Sequence, residues 1–287
     1  MAPTFLREWL GPRNFPREPE PSLVMDGPEQ VTAYERAGHI DGVMAAAYVF
    51  HTARISQVIG RCRRILDLGC GPATQLAQIA ALHPQVQFFG VDLSEPMLER
   101  ARTQIAERGL SNVELGRDDI TRLLSVSDAS VDGVISTMAL HHLPTLQHLD
   151  ACFEQIARVL RPGGALYLAD FGRLKALKSV LYFAYQNAKH QPHVFSLDYE
   201  RSLRAAFEAS DFERAVHRHL AGRARVCATF RVPILVLVKS EDGPLTREMR
   251  DSVRRMRRDL PRRYRRDLDD IRLFFRLGGL RNDPFSA

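Results

Sequence analysis

The chain reads as an α/β protein: a doubly wound, mostly parallel seven-stranded sheet, an antiparallel strand pair at one edge, an N-terminal helical lid and a C-terminal basic helical tail. Three observations predict it. Apolar runs of strand length alternate with helix-length amphipathic segments between Arg64 and Phe171. A glycine turn, Gly69-Cys70-Gly71-Pro72, closes the first of those runs. After Phe171 the alternation stops and a later pair of apolar segments remains to finish the sheet.

The elements follow in order. Residues 1–28 carry Pro3, Pro12, Pro16, Pro19, Pro21 and Pro28, a density that predicts an extended lead-in. Glu29 to Ile59 reads as helical, with a break near Gly38 to Gly42. The strands expected next are Arg64–Leu68, Gln87–Val91, Val113–Arg117, Val131–Ser136 and Ala165–Asp170. Thr74–Leu82, Pro96–Arg108 and Gln147–Val159 fill the intervals as helices. Alternation of this kind puts helices on both faces of a parallel sheet, through right-handed crossovers. Leu174–Ala188 is expected as a helix, Gln191–Ser196 as a loop, and Asp198 as the cap of a helix from Tyr199 to about Ala209. Phe212–Leu220 and Thr229–Lys239 are expected as the edge strand pair, and the tail as one or two helices interrupted at Pro261. Three regions result: 1–60 as lead-in and lid, 61–240 as core with a lid insertion at about 172–197, and 241–287 as tail.

Composition narrows the function. A 45% hydrophobic fraction in 287 residues supports a substantial core. No apolar run reaches the roughly 18 residues of a membrane span, and the first residues lack the apolar stretch of a signal peptide. Cys62, Cys70, Cys152 and Cys227 have neither CxxC nor metal-ligand spacing, so we read reduced thiols, no metal and a cytoplasmic protein. The net charge is +6, and from Glu241 onward thirteen Arg face nine acidic residues. Such a tail is a solvated amphipathic helix or a docking surface for nucleic acid or an acidic partner.

The glycine turn carries the chemistry. Gly69 and Gly71 let backbone approach a ligand, and Pro72 suits a helix opening because its missing N–H needs no partner there. Asp92 ends the second strand about 20 residues on, where an acid commonly accepts from both ribose hydroxyls. Asp67, Gly69, Gly71 and Ala73, followed by Asp92, by Asp118-Asp119, by Ser136 to Leu143 and by Leu160-Arg161-Pro162-Gly163-Gly164, together resemble the class I S-adenosylmethionine-dependent methyltransferases. The resemblance covers Arg64 to Phe171 well and the later strands more loosely. Ala73 stands where the family has a third glycine, and Asp118 where it has Gly.

That resemblance implies S-adenosylmethionine as cofactor and assigns roles. Gly69, Cys70 and Gly71 would pass the methionine portion, with Asp67 orienting its amino group. Asp92 would hold the ribose, Leu93 and Met97 would pack on adenine, and Asp119 with the Ile120 N–H would face its edge. Thr137 and Met138 would contact the cofactor through backbone, and Tyr34 through its ring. His141, His142 and Tyr48 are the catalytic candidates, the histidines because imidazole exchanges a proton near neutral pH. Tyr34, His39, Tyr48 and His51 in the first lid, with Tyr182, Tyr185, His190, His193 and Tyr199 in the second, suit a closed pocket for a small-molecule acceptor. The alternatives are an RNA or protein methyltransferase docked through the tail, transfer of another part of the cofactor such as its aminopropyl arm, and a non-catalytic cofactor-binding protein. A nicotinamide dehydrogenase fits poorly, because Thr74 stands where G-x-G-x-x-G needs glycine. The lid or the tail is the candidate surface for a homodimer.

Overall fold

The computed structural model describes residues 2–22, 24, 27–38 and 42–286, with the side chains of residues 2, 28 and 33–35 outside the description. Before the sheet come α1 (Ala2–Leu10), α2 (Pro28–Ala37) and α3 (Ala45–Val58). The alternating part is β1 (Arg64–Leu68), α4 (Thr74–Leu82), β2 (Gln87–Asp92), α5 (Glu95–Glu107), β3 (Val113–Arg117), β4 (Val131–Thr137), α6 (Leu146–Val159) and β5 (Leu160–Phe171). Then follow α7 (Leu177–Tyr185), α8 (His193–Ala205), α9 (Ala209–His219), β6 (Arg225–Ala228), β7 (Leu235–Lys239), α10 (Arg247–Asp259) and α11 (Arg262–Leu277).

The sheet has seven strands in the order β3-β2-β1-β4-β5-β7-β6. The first five are parallel; β7 runs antiparallel to both β5 and β6, as in the Tyr167↔Lys239 and Val226↔Val238 pairs. Side-chain alternation along β1 explains the two layers: Ile65 packs with Phe50, Leu76 and Phe275 on one face. Leu66 and Leu68 pack with Phe153, Phe212 and Leu220 on the other. The strand order turns back between β1 and β4, and it is outside the carboxyl ends of such neighbours that a crevice opens.

Local chemistry accounts for the ends. Ser94 caps α5, its hydroxyl accepting from the Met97 N–H at 3.3 Å, and Thr145 caps α6 in the same way. Gly163 takes a left-handed φ of 74° near the start of β5, where the register with β4 shifts.

Three expectations are corrected. The lead-in is not all extended, because Ala2–Leu10 is a helix. Pro3 lies in its first turn, where no N–H is needed, and the other prolines begin only after Gly11. Phe212–Leu220 is not a strand but most of α9 and its C-cap. Its buried residues Phe212, Ala215 and Val216 keep helical spacing, and Glu208 with Asp211 forms a capping box. The outer strand is instead Arg225–Ala228. Asp198 is not an N-cap, since α8 already starts at His193; its carboxylate accepts from the Gln30 side chain at 2.8 Å. No helix among the described residues is long and apolar enough to cross a membrane.

The tail lies against the core. The Arg54 guanidinium, 1% exposed, donates to the carbonyls of Arg281 and Asn282 at 2.8 and 3.0 Å. The Phe50 and Phe275 rings stack at 5.2 Å.

Candidate active site

A cavity of about 380 Å³ opens at the crevice between β1 and β4. The turn after β1 forms its floor. The Gly69 and Cys70 N–H groups both donate to the Val91 carbonyl, at 2.8 and 3.0 Å, which ties the turn to β2. Gly69 has φ +67°, and a Cβ there would lie 2.5 Å from that of Ala139. Gly71 has φ +54° with nothing within 4 Å of such a Cβ, so its conformation and not crowding demands glycine. Ala73 also has a positive φ, 60°, and begins α4 where a third glycine was expected.

Carboxylates surround this turn. Asp92 accepts from the Gly71 N–H and from the Ser94 N–H, both at 2.9 Å. Asp67 is 4% exposed beneath the turn. Burial, then the charge of Asp92, holds its carboxyl well above the usual carboxylate range. A cation at this point would relieve both. Asp118 and Asp119 divide the work at the end of β3. Asp118 accepts from the N–H groups of Asp119, Leu124 and Ser125 and from the Ser125 hydroxyl. Burial works upward on it, but those bonds win and its pKa is lowered. Asp119 accepts from the Thr121 N–H and hydroxyl at 2.8 and 2.7 Å.

The loop after β4 supplies the opposite wall. Met138 has φ +55° and donates its N–H to Ala169 O at 2.8 Å. The two histidines that follow separate. His141 is buried, and its Nδ1 meets Asp170 Oδ1 at 2.7 Å. The other Asp170 oxygen accepts from the N–H groups of Leu140 and His141, at 2.6 and 3.1 Å. Burial, the largest single influence, lowers the His141 pKa, but the charge of Asp170, its hydrogen bond and the charge of Glu20 together outweigh it and the net shift is upward. His142 lies on the cavity wall with Nδ1 buried and unpartnered. Burial, then the neighbouring His141, pushes its pKa down to about 3.

The cavity wall therefore brings together Tyr48, Gly69, Cys70, Gly71, Asp92, Leu93, Met97, Asp119, Ile120, Thr137, Met138 and His142. Asp67 lies behind it, and His141 faces Asp170 instead. The Tyr34 side chain and His39 lie outside the described residues. Sequence reasoning missed Asp170, although an acid ending the fifth strand parallels Asp92. It also missed Arg17, which nothing in the sequence marks. The Arg17 guanidinium donates to the carbonyls of Pro144, Leu143, His141 and Ala205, fastening the lead-in over the histidine loop. Glu20, also on the lead-in, accepts from the Ser202 hydroxyl at 2.9 Å and brings a carboxylate oxygen within 4.8 Å of ring nitrogens of His141 and His142.

A second cavity of about 310 Å³ shares Met138 with the first. Its walls are mostly apolar and come from α1, α3, α7, α8, the β6–β7 connection and α11.

Residues 65–164 match the family described as a methyltransferase domain. They carry a methyltransferase domain. The chain is 35% identical over 108 residues to the 27-O-demethylrifamycin SV methyltransferase of Amycolatopsis mediterranei, 38% of each chain. It is 30% identical over 151 residues to the malonyl-[acyl-carrier protein] O-methyltransferase of Methylococcus capsulatus, 53% of this chain and 52% of that one. The chain thus spans about half the length, or less, of these curated relatives. In fold, the methyltransferase domain and its flanks resemble the plantazolicin methyltransferase BpumL in complex with a monoazolic desmethylPZN analog and SAH. The TM-score is 0.55 at 16% identity, over 81% of this chain and 85% of that one. The cofactor of this class is S-adenosylmethionine. The cleft fits it: a cationic ligand answers the buried Asp67, and the open space over Gly71 admits close approach to backbone.

Proposed function

We propose that the protein is a methyltransferase that uses S-adenosylmethionine to methylate a small molecule bound in the second cavity. The observation that carries this reading is that the two cavities meet at Met138. S-adenosylmethionine, when bound, supplies a methyl group already activated on a sulfonium. The remaining work is placement in line and exclusion of water, and orientation supplies on the order of 7 to 11 kcal/mol in favourable cases.

The residues divide that work. Gly69, Cys70 and Gly71 line the place for the methionine portion, with Asp67 answering its ammonium charge. Asp92 holds the ribose. Leu93, Met97, Asp119 and Ile120 enclose the adenine, and Thr137 and Met138 form the partition toward the acceptor. His142 stays neutral at neutral pH and offers a hydrogen-bonding imidazole from the wall of the first cavity; with a pKa near 3 it orients what reaches across Met138 more than it deprotonates it. His141, held by Asp170, positions that loop. The helices around the second cavity act as the lid.

The test is incubation of the full chain with S-adenosylmethionine and a panel of candidate acceptors, followed by mass spectrometry for methylated product. His142→Ala should slow turnover at least about tenfold, as expected when a group that orients the acceptor is lost, while the affinity for S-adenosylhomocysteine holds. An unchanged rate removes His142 from the reaction.

A further inference from the structure

The second cavity has a composition that the rest of the chain does not. Six aromatic rings line it: Phe5, Phe171, Phe183, Phe195, Tyr199 and Phe274. Asp267 and Asp270 stand at its rim. No Lys, Arg or His is among its described lining residues, in a chain with 40 Lys and Arg and a net charge of +6. The acids reach it through helical spacing: Asp267, Asp270, Ile271 and Phe274 fall at i, i+3, i+4 and i+7 of α11, one stripe of that helix. The neighbouring Asp269 is on another face and pairs with Arg257 and Arg272, both at less than 2.8 Å. No arginine of this arginine-rich helix is among the described lining residues of the cavity, while two acids are; Arg263, one turn before Asp267, is its charged neighbour.

Resting on the acceptor reading above, we infer that the second cavity selects a flat apolar molecule bearing an organic cation, an arylalkylamine in its ammonium form, with the rings enclosing its body and Asp267 and Asp270 holding its charge. Ring faces carry negative quadrupole density and attract such a cation, and the carboxylates add a direct Coulomb attraction. Burial and the charge of Asp270 raise the pKa of Asp267 against the lowering charge of Arg263, a condition that a further cation relieves. Both acids remain exposed, so water screens them and the selectivity they confer is moderate and salt-sensitive.

Calorimetric titration of the full chain, with and without S-adenosylhomocysteine, tests this with three probes sharing one ring system: naphthylmethylammonium, naphthylmethanol and naphthoate. The ammonium should bind roughly tenfold tighter than the alcohol, and the carboxylate weaker than either. The Asp267→Asn, Asp270→Asn double variant should lose that order and bind ammonium and alcohol alike, with its S-adenosylhomocysteine affinity intact. Naphthoate binding as well as the ammonium, or an order that survives in the double variant, overturns the inference while leaving the acceptor cavity standing. Failure of all three probes to bind removes the acceptor cavity and the inference with it.

Discussion

The two cavities that meet at Met138 are built in opposite ways. The first is assembled from strand ends close in sequence, nearly all between Gly69 and His148, and is lined by glycine backbone and carboxylates. The second gathers residues from near the N-terminus at Thr4 to α11 at Phe274, and it is lined by rings and methyl groups. Chemistry set by a short turn persists wherever that turn occurs. Chemistry set by distant helices exists only while those helices stay packed. The cofactor cleft should therefore tolerate changes that destroy the acceptor cavity, provided the core itself survives.

Removing residues 241–287 is the harshest way to break that comparison. The deletion takes away the α11 wall of the acceptor cavity. It also removes the carbonyls that accept from Arg54 and the Phe275 ring that stacks on Phe50. Breaking the hydrogen bonds of a buried charge costs about 3–5 kcal/mol, before the lost apolar burial is added; of the Arg54 partners Gln57 remains. At about 2–4 °C per kcal/mol, the melting temperature should fall by roughly 10 °C or more, followed by circular dichroism. A truncated chain that melts within about 2 °C of the full one would show the tail to be an appendage.

Asp92→Ala sharpens the comparison from the other side. It removes the acceptor proposed for the ribose and leaves the Gly71 and Ser94 N–H groups without their partner. A hydrogen bond to a charged group contributes about 1.5–3 kcal/mol, so the dissociation constant for S-adenosylhomocysteine should rise at least about tenfold. Naphthylmethylammonium binding in the second cavity should be unchanged. Equal weakening of both ligands would mean the cavities are coupled through the sheet.

The same difference explains what could be read in the sequence. β1 to β4 and their helices were legible because buried parallel strands are continuous apolar runs and the glycine turn marks the crossover. The acids at the strand ends were legible because each follows such a run directly. α9 was misread because a short amphipathic segment such as Phe212–Leu220 suits either period, and its capping box, Glu208 with Asp211, was overlooked. α1 is hidden by the prolines that follow it, which read as extended chain, although Pro3 itself suits a helix opening. Asp170 and Arg17 act through partners far along the chain, and no local pattern announces such a pairing. The acidic stripe of α11 was visible as Asp267 and Asp270, but which face of that helix meets the core is decided by packing.

The smallest effect separates the interior layer from the cofactor cleft by pH. His51, on α3, is 1% exposed and bonds Tyr167 Oη through Nδ1 at 2.8 Å. Burial pushes its pKa from 6.5 to about 3. The folded state thus binds fewer protons than the unfolded chain below pH 6.5, and stability is lost as pH falls through that value. His142, in the cleft, is depressed to about 3 and loses stability in the same direction. His141 is shifted the other way: its contribution is full below 6.5 and is lost as pH rises through its folded pKa. Urea unfolding at pH 6.5 and 5.5 should therefore show a falling midpoint. In His51→Gln, which keeps a polar partner for Tyr167 but does not titrate, the fall should shrink by about 1 kcal/mol, since a full pKa unit corresponds to about 1.4 kcal/mol. Bound S-adenosylhomocysteine should leave that His51 share untouched, because the residue lies outside the cleft. A midpoint that does not move with pH, or an acid loss identical in the variant, would mean that His51 takes up its proton without unfolding the layer around it.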